Sequence, residues 1–248
     1  MKTNILCLLI LCQFSGFAQD TIPSVVIDSV QTHSQFFAIS PMSRKIHKVN
    51  GLAFGLGHVE NKRIANQTIN GFNLEVNPAP ILGAAVVFVG IMHLPDIIKN
   101  NRIPDSLMKK EDYYVIKNRN HTPHLRINGL NVSSGCFFTT TSMNGINISL
   151  ANKFNDFNGL SIAPLGMIVD KQNGLSVGLF NANNVLKGST IGVLNQSYDL
   201  KGVHLGVFNL TRNNHGVQIG VFNRSNSKGL QVGVWNINNK RSMPFINW

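Results

Sequence analysis

Cysteine is scarce in this 248-residue chain: Cys7, Cys12 and Cys136 are all it has. The first two lie in an apolar N-terminal stretch that reads as a cleaved leader. Processing then leaves Cys136 alone and excludes an intrachain disulfide. Followed by Phe137 and Phe138, with no basic neighbour to favour a thiolate, Cys136 reads as a small packed side chain. Charge is sparse as well. Charged residues make up 13% of the chain, and the formal net charge of +11 is scattered, with clusters at Arg44, Lys45 and Lys48, at Lys109 and Lys110, and at Lys240 and Arg241. This is not the concentrated basic face with stacking aromatics that nucleic-acid binding uses. Anionic lipid of the outer membrane or surface glycan suits such a charge better.

Long apolar runs are also missing. The run Ile81 to Leu94 (ILGAAVVFVGIMHL) falls short of the ~20 residues a membrane-spanning helix needs. No nucleophile elbow, H-E-x-x-H pair or phosphate loop occurs. His121 and His124 could offer two metal ligands, with His58 or His93 as a third. Pro123 breaks any helical face shared by the first two and no carboxylates accompany them, so no metal, cofactor or catalytic residue is expected.

What the chain does have is a phrase repeated through its last third: GLSVGLFN from Gly174, GSTIGVLN from Gly188, GVHLGVFN from Gly202, GVQIGVFN from Gly216 and GLQVGVWN from Gly229. Fainter copies start at Gly51, Gly71, Gly129, Gly145 and Gly159, which makes ten. Two glycines per unit would cost a helix about 1 kcal/mol each, so the alternation predicts strands. Numbering each unit from its first glycine, positions 2, 4 and 6 are apolar in twenty-seven of thirty cases, and this face is expected to be buried. Position 3 is polar in nine units of ten; Ser176, Thr190, His204, Gln218 and Gln231 are the candidate residues of a polar face or lumen. Another apolar residue usually stands two before the first glycine (Val49, Ile69, Ile127, Met143, Phe157, Leu186, Leu200). That leaves roughly four residues for each turn, placed at Gln196 to Asp199, Leu210 to Asn213 and Arg224 to Asn226.

The motif is nearly symmetric about position 3, and the stretch Arg224 to Lys228 offers no apolar residue for the return arc of a coil. The expected fold is therefore all-β: an antiparallel meander closed as a β-barrel, with one helical insertion. The alternative is a parallel β-solenoid, in which Asn181, Asn195, Asn209, Asn223 and Asn236 would stack as an asparagine ladder.

The organisation follows from the repeat. Residues 1–18 read as a signal peptide, with Lys2, an apolar centre from Ile5 to Leu11 and a Gly16-Phe17-Ala18 cleavage site. Residues 19–50 form an N-terminal arm in which Ser24 to Ile27 and Phe36 to Ile39 could each add a strand. Residues 51–78 hold the first two repeats, 79–126 a helical or irregular insertion, and 127–248 the eight-repeat array and C-terminal tail.

The GVQIGVFN-type units, the exported start and the ending from Gly229 through Pro244-Phe245-Ile246-Asn247-Trp248 resemble the surface-repeat proteins of Gram-negative bacterial envelopes, clearly from Gly145 onward and weakly over the first two repeats. That resemblance implies an envelope location and brings no catalytic or binding residue with it. The expected function is a non-enzymatic exported envelope protein, an outer-membrane or cell-surface β-repeat scaffold. The alternatives are a soluble surface-attached module that binds glycan or protein, and an enzyme centred on the insertion.

Overall fold

The computed structural model describes residues 33–40, 42–43, 45–58, 66–77, 123–135, 137 and 139–248. The leader, the segment Ser24 to Ile27, Ile81 to Leu94 with nearly all of the 79–126 insertion, and Cys136 lie outside the described residues. Among the described residues there is no helix. The strands are β1 (His33–Ser40), β2 (Ile46–Gly55), β3 (Gln67–Glu75), β4 (Leu125–Gly135), β5 (Thr141–Ile162), β6 (Gly166–Val177), β7 (Phe180–Leu186), β8 (Ser189–Leu200), β9 (Val203–Asn214), β10 (Val217–Ser225), β11 (Leu230–Ile237) and β12 (Ser242–Asn247). The expected strand at Phe36 to Ile39 lies within β1.

These strands hydrogen-bond in chain order, with β6 also reaching β8. Neighbours are parallel throughout, except that β12 folds back antiparallel on β11. Parallel neighbours, joined from β5 to β10 by only two or three residues, cannot be a meander. The chain winds as a parallel β-solenoid of about 11 turns, so the barrel gives way to its alternative. Like stacks on like: Gly206 pairs with Gly192 below and Gly220 above, and Asn209 with Asn195 and Asn223. At Gly129, φ is +130°, and a Cβ there would collide with the Gly71 carbonyl oxygen of the preceding coil. Only glycine lets the backbones approach so closely in that conformation.

Two further expectations are reversed. The apolar face formed by positions 2, 4 and 6 points outward: Ile219 is 39% exposed, Val221 50% and Val234 63%. The polar third positions are the buried ones. The segments expected as turns are strand instead, with Gln196 to Asp199 in β8, Leu210 to Asn213 in β9 and Arg224 and Ser225 in β10. The real corners are at Gly206–Val207, where the pairing with the next coil skips a residue, and around His215–Gly216. The return arc buries polar groups beside apolar ones such as Val185, Tyr198 and Leu210, and some of the polar groups bond locally. Ser225 Oγ donates to Ser227 O (2.8 Å) and Gln218 Nε2 to Arg224 O (3.3 Å). Much of the apolar interior comes from the residues two before each first glycine, from Val49 to Leu200, which are fully buried; Phe154, Met167 and Val169 join them, and Leu194, Leu210 and Phe222 form a second cluster.

Candidate functional site

Ser176, Thr190, His204, Gln218 and Gln231 stand in register on successive coils and are all fully buried. Asn73, Asn131, Asn147 and Ser161 continue the file upstream, and Asn73 Nδ2 donates to Asn131 Oδ1 at 2.7 Å. Gln172 Nε2 donates to Ser176 Oγ (3.0 Å), and Gln231 Nε2 to Gln218 Oε1 (2.8 Å). The five candidates are thus brought together, but as a sealed internal ladder with no lumen.

One contact of the file resembles a nucleophile and its base: Ser197 Oγ, from the return arc of β8, lies 2.7 Å from His204 Nε2. Both residues are fully buried, and burial pushes the His204 imidazole down to about 3, so the ring is neutral. A substrate has no route to this pair, which reads as structural. Burial likewise lowers the Arg224 guanidinium. Of the histidines considered as ligands, His58 Nδ1 contacts Glu75 Oε2 (2.7 Å) and His124 Nδ1 contacts Thr140 Oγ1 (2.7 Å), while His93 and His121 lie outside the described residues. No group of three metal-ligating side chains occurs among the described residues.

A second ladder shapes the corner. Asn181, Asn195, Asn209 and Asn223 each pass an Nδ2–H to the Oδ1 of the next, ending at Asn236, at 3.0, 2.9, 2.8 and 2.7 Å. Asn195, Asn209 and Asn223 also donate to the backbone oxygens of Leu205, Ile219 and Val232 on the following coil. These amides fill the space behind Gly192, Gly206, Gly220 and Gly233, and the chain bends there.

Outside the bend, the fourth and sixth positions of five coils form the walls of an open trough of about 1240 Å³ with the glycines as its floor. Val177 and Leu179, Ile191 and Val193, Leu205 and Val207, Ile219 and Val221, and Val232 and Val234 line it, and Pro164, Phe245 and Ile246 lie at its ends. Every lining residue is apolar. Phe245, in β12, is 75% exposed and adopts a left-handed φ of 65°, a conformation that non-glycine residues hold at a cost of about 1 kcal/mol or more. Beside it, the Arg241 guanidinium sits 4.1 Å from the ring centre of Trp248, which is 58% exposed.

A third ladder runs along one edge of the outer face, at the residue before each first glycine. Asn50, Asn70, Asn128, Asn144, Asn158 and Asn173 are joined by amide bonds of 2.7–2.9 Å. At the next coil the column changes to Lys187, Lys201, His215 and Lys228, all exposed. Repetition in the sequence pointed to the trough residues, but as a core; exposure alone turns them into a surface.

The fold and this surface define a class: a parallel β-solenoid with a hydrogen-bonded polar interior and an outward apolar trough. Compared with protein-family models, curated proteins and solved structures, the chain matches none.

Proposed function

We propose that this protein is a non-enzymatic scaffold of the bacterial envelope, exported by its leader and seated on the outer membrane surface through its apolar trough. One observation carries the reading: five coils present aliphatic walls over a glycine floor to solvent, a contiguous apolar surface of the kind that marks an interaction site. A small-molecule pocket fixes its ligand with a few placed polar groups. The trough has none, and acyl chains require none. Each half-exposed Ile, Leu or Val that leaves water contributes about 1 kcal/mol, so ten give on the order of 10 kcal/mol before ordering costs. Trp235, Phe245 and Trp248, exposed at the C-terminal end, suit the head-group layer. A parallel sheet with open edges does not cross hydrocarbon, so the attachment is interfacial.

Vesicle flotation tests this. The full protein should float with phosphatidylcholine vesicles, and Ile219→Asp combined with Val221→Asp should abolish flotation while the circular dichroism stays that of the wild type. Flotation indifferent to this pair, or capture by surface glycan with no vesicle binding, would overturn the proposal.

A further inference from the structure

The edge column singles out which lipid the trough meets. Six asparagines in its first half are chained by five amide bonds and carry no charge. From Lys187 on, the same corner carries Lys187, Lys201, His215 and Lys228, one per coil. Backbone bonds from Lys187 N to Gln172 O, Lys201 N to Leu186 O and His215 N to Leu200 O keep them in register. Rungs of a parallel sheet are about 4.8 Å apart, so these side chains crowd one another along the column. The acid facing them among the described residues is Asp199, 3.4 Å from Lys201 Nζ and 3.8 Å from His215 Nε2. From Lys201 to Trp248 the chain has six lysines and arginines and no acid at all.

We infer that Lys187, Lys201 and Lys228, with His215, form a phosphate-binding edge that makes the trough's docking selective for anionic lipid. The inference rests on the membrane-surface reading above. The column lies about 13 Å along the strand from the nearer wall of the trough, so head-group phosphates can meet it while acyl chains lie against the aliphatic walls. Crowded cations with one neighbouring carboxylate gain most from anions placed between successive rungs. A second copy docked antiparallel on the same coils would bring cation against cation, and one docked parallel would leave the column without a counter-charge, so an anionic lipid surface is the occupant the charge favours.

Flotation of the full protein on phosphatidylcholine vesicles, with and without phosphatidylglycerol, tests the inference at low salt. Wild type should bind both and prefer the anionic vesicles. The triple variant Lys187→Gln, Lys201→Gln, Lys228→Gln should bind the anionic vesicles about 100-fold more weakly and the zwitterionic ones unchanged. A triple variant that keeps the anionic preference, or a wild type that shows none, overturns the edge and leaves the trough reading standing. A wild type that binds neither vesicle overturns both. Replacing the asparagine column's Asn144 and Asn158 with Gln should leave both affinities unchanged; loss of the preference there would place selectivity elsewhere and also overturn the edge.

Discussion

Asn209 Nδ2 lies 2.5 Å from the point where a Cβ on Gly220 would sit. The amide stays there because it donates to Asn223 Oδ1 at 2.8 Å and to Ile219 O at 2.9 Å, both on the coil that carries Gly220. The glycine of one coil and the asparagine of the coil before it therefore share one space, and the corner depends on both.

Gly220→Ala should accordingly destabilise by about 1–3 kcal/mol, because the added methyl meets Asn209 on one side and the Gly206 backbone on the other. Denaturant unfolding of the variant measures it. A midpoint equal to that of the wild type would mean the corner relaxes freely.

The two asparagine ladders should differ in worth. Asn209→Ala leaves the Ile219 carbonyl and the ends of Asn195 and Asn223 without their partner in a buried file, at about 1–3 kcal/mol per orphaned group. Asn158→Ala breaks the exposed ladder, where water replaces the amide, and should stay within about 0.5 kcal/mol. Equal losses in thermal or denaturant melts would contradict the burial assigned to the two columns.

Gln218→Ser should cost about 1–3 kcal/mol through a cavity and a weakened rung, even though Ser161 and Ser176 occupy the same file. Ser176 is reached by the long side chain of Gln172, whereas the equivalent position below Gln218 holds the shorter Asn214. Adding Asn214→Gln to Gln218→Ser should therefore recover part of the stability. No recovery would show that the rung is held by something other than side-chain reach.

His204 sets a pH dependence. Its folded value, about 3, lies below the ordinary 6.5, so the unfolded chain binds more protons between those limits. The stability contributed by neutral His204 is whole above pH 6.5 and falls as pH drops toward 3, by roughly 1 kcal/mol per pH unit. His204→Gln, the residue that the next two coils use, should remove that slope while the protein still folds. Melts across this pH range that are parallel for wild type and variant would count against a neutral, buried imidazole.

The repeat's phase and its strand character were legible from the spacing of residues alone, and so was the regular apolar residue two before each first glycine, although its place in the interior was not. The consequence of parallel stacking, an asparagine ladder from Asn181 to Asn236, was legible as well. The direction of winding hinged on the one asymmetric feature of the motif, the asparagine at its eighth position. Its side chain bridges to a copy of itself and to the backbone of the following coil, which an antiparallel neighbour would not offer.

Which face lies inside was decided only in three dimensions. Hydrophobicity places Val217, Ile219 and Val221 in a core and Gln218 in water, and the structure does the opposite. In a parallel, in-register stack a buried polar side chain meets its counterparts directly above and below, as Gln218 meets Gln231, and the hydrogen bond offsets the cost of leaving water. An aliphatic column on the outside is half covered by its own neighbours along the stack, which lowers the cost of facing solvent. Sequence fixes each residue's place along the coil. The thin coil, with room inside for two files of stacked polar side chains beside the apolar ones, determines which of them face the solvent.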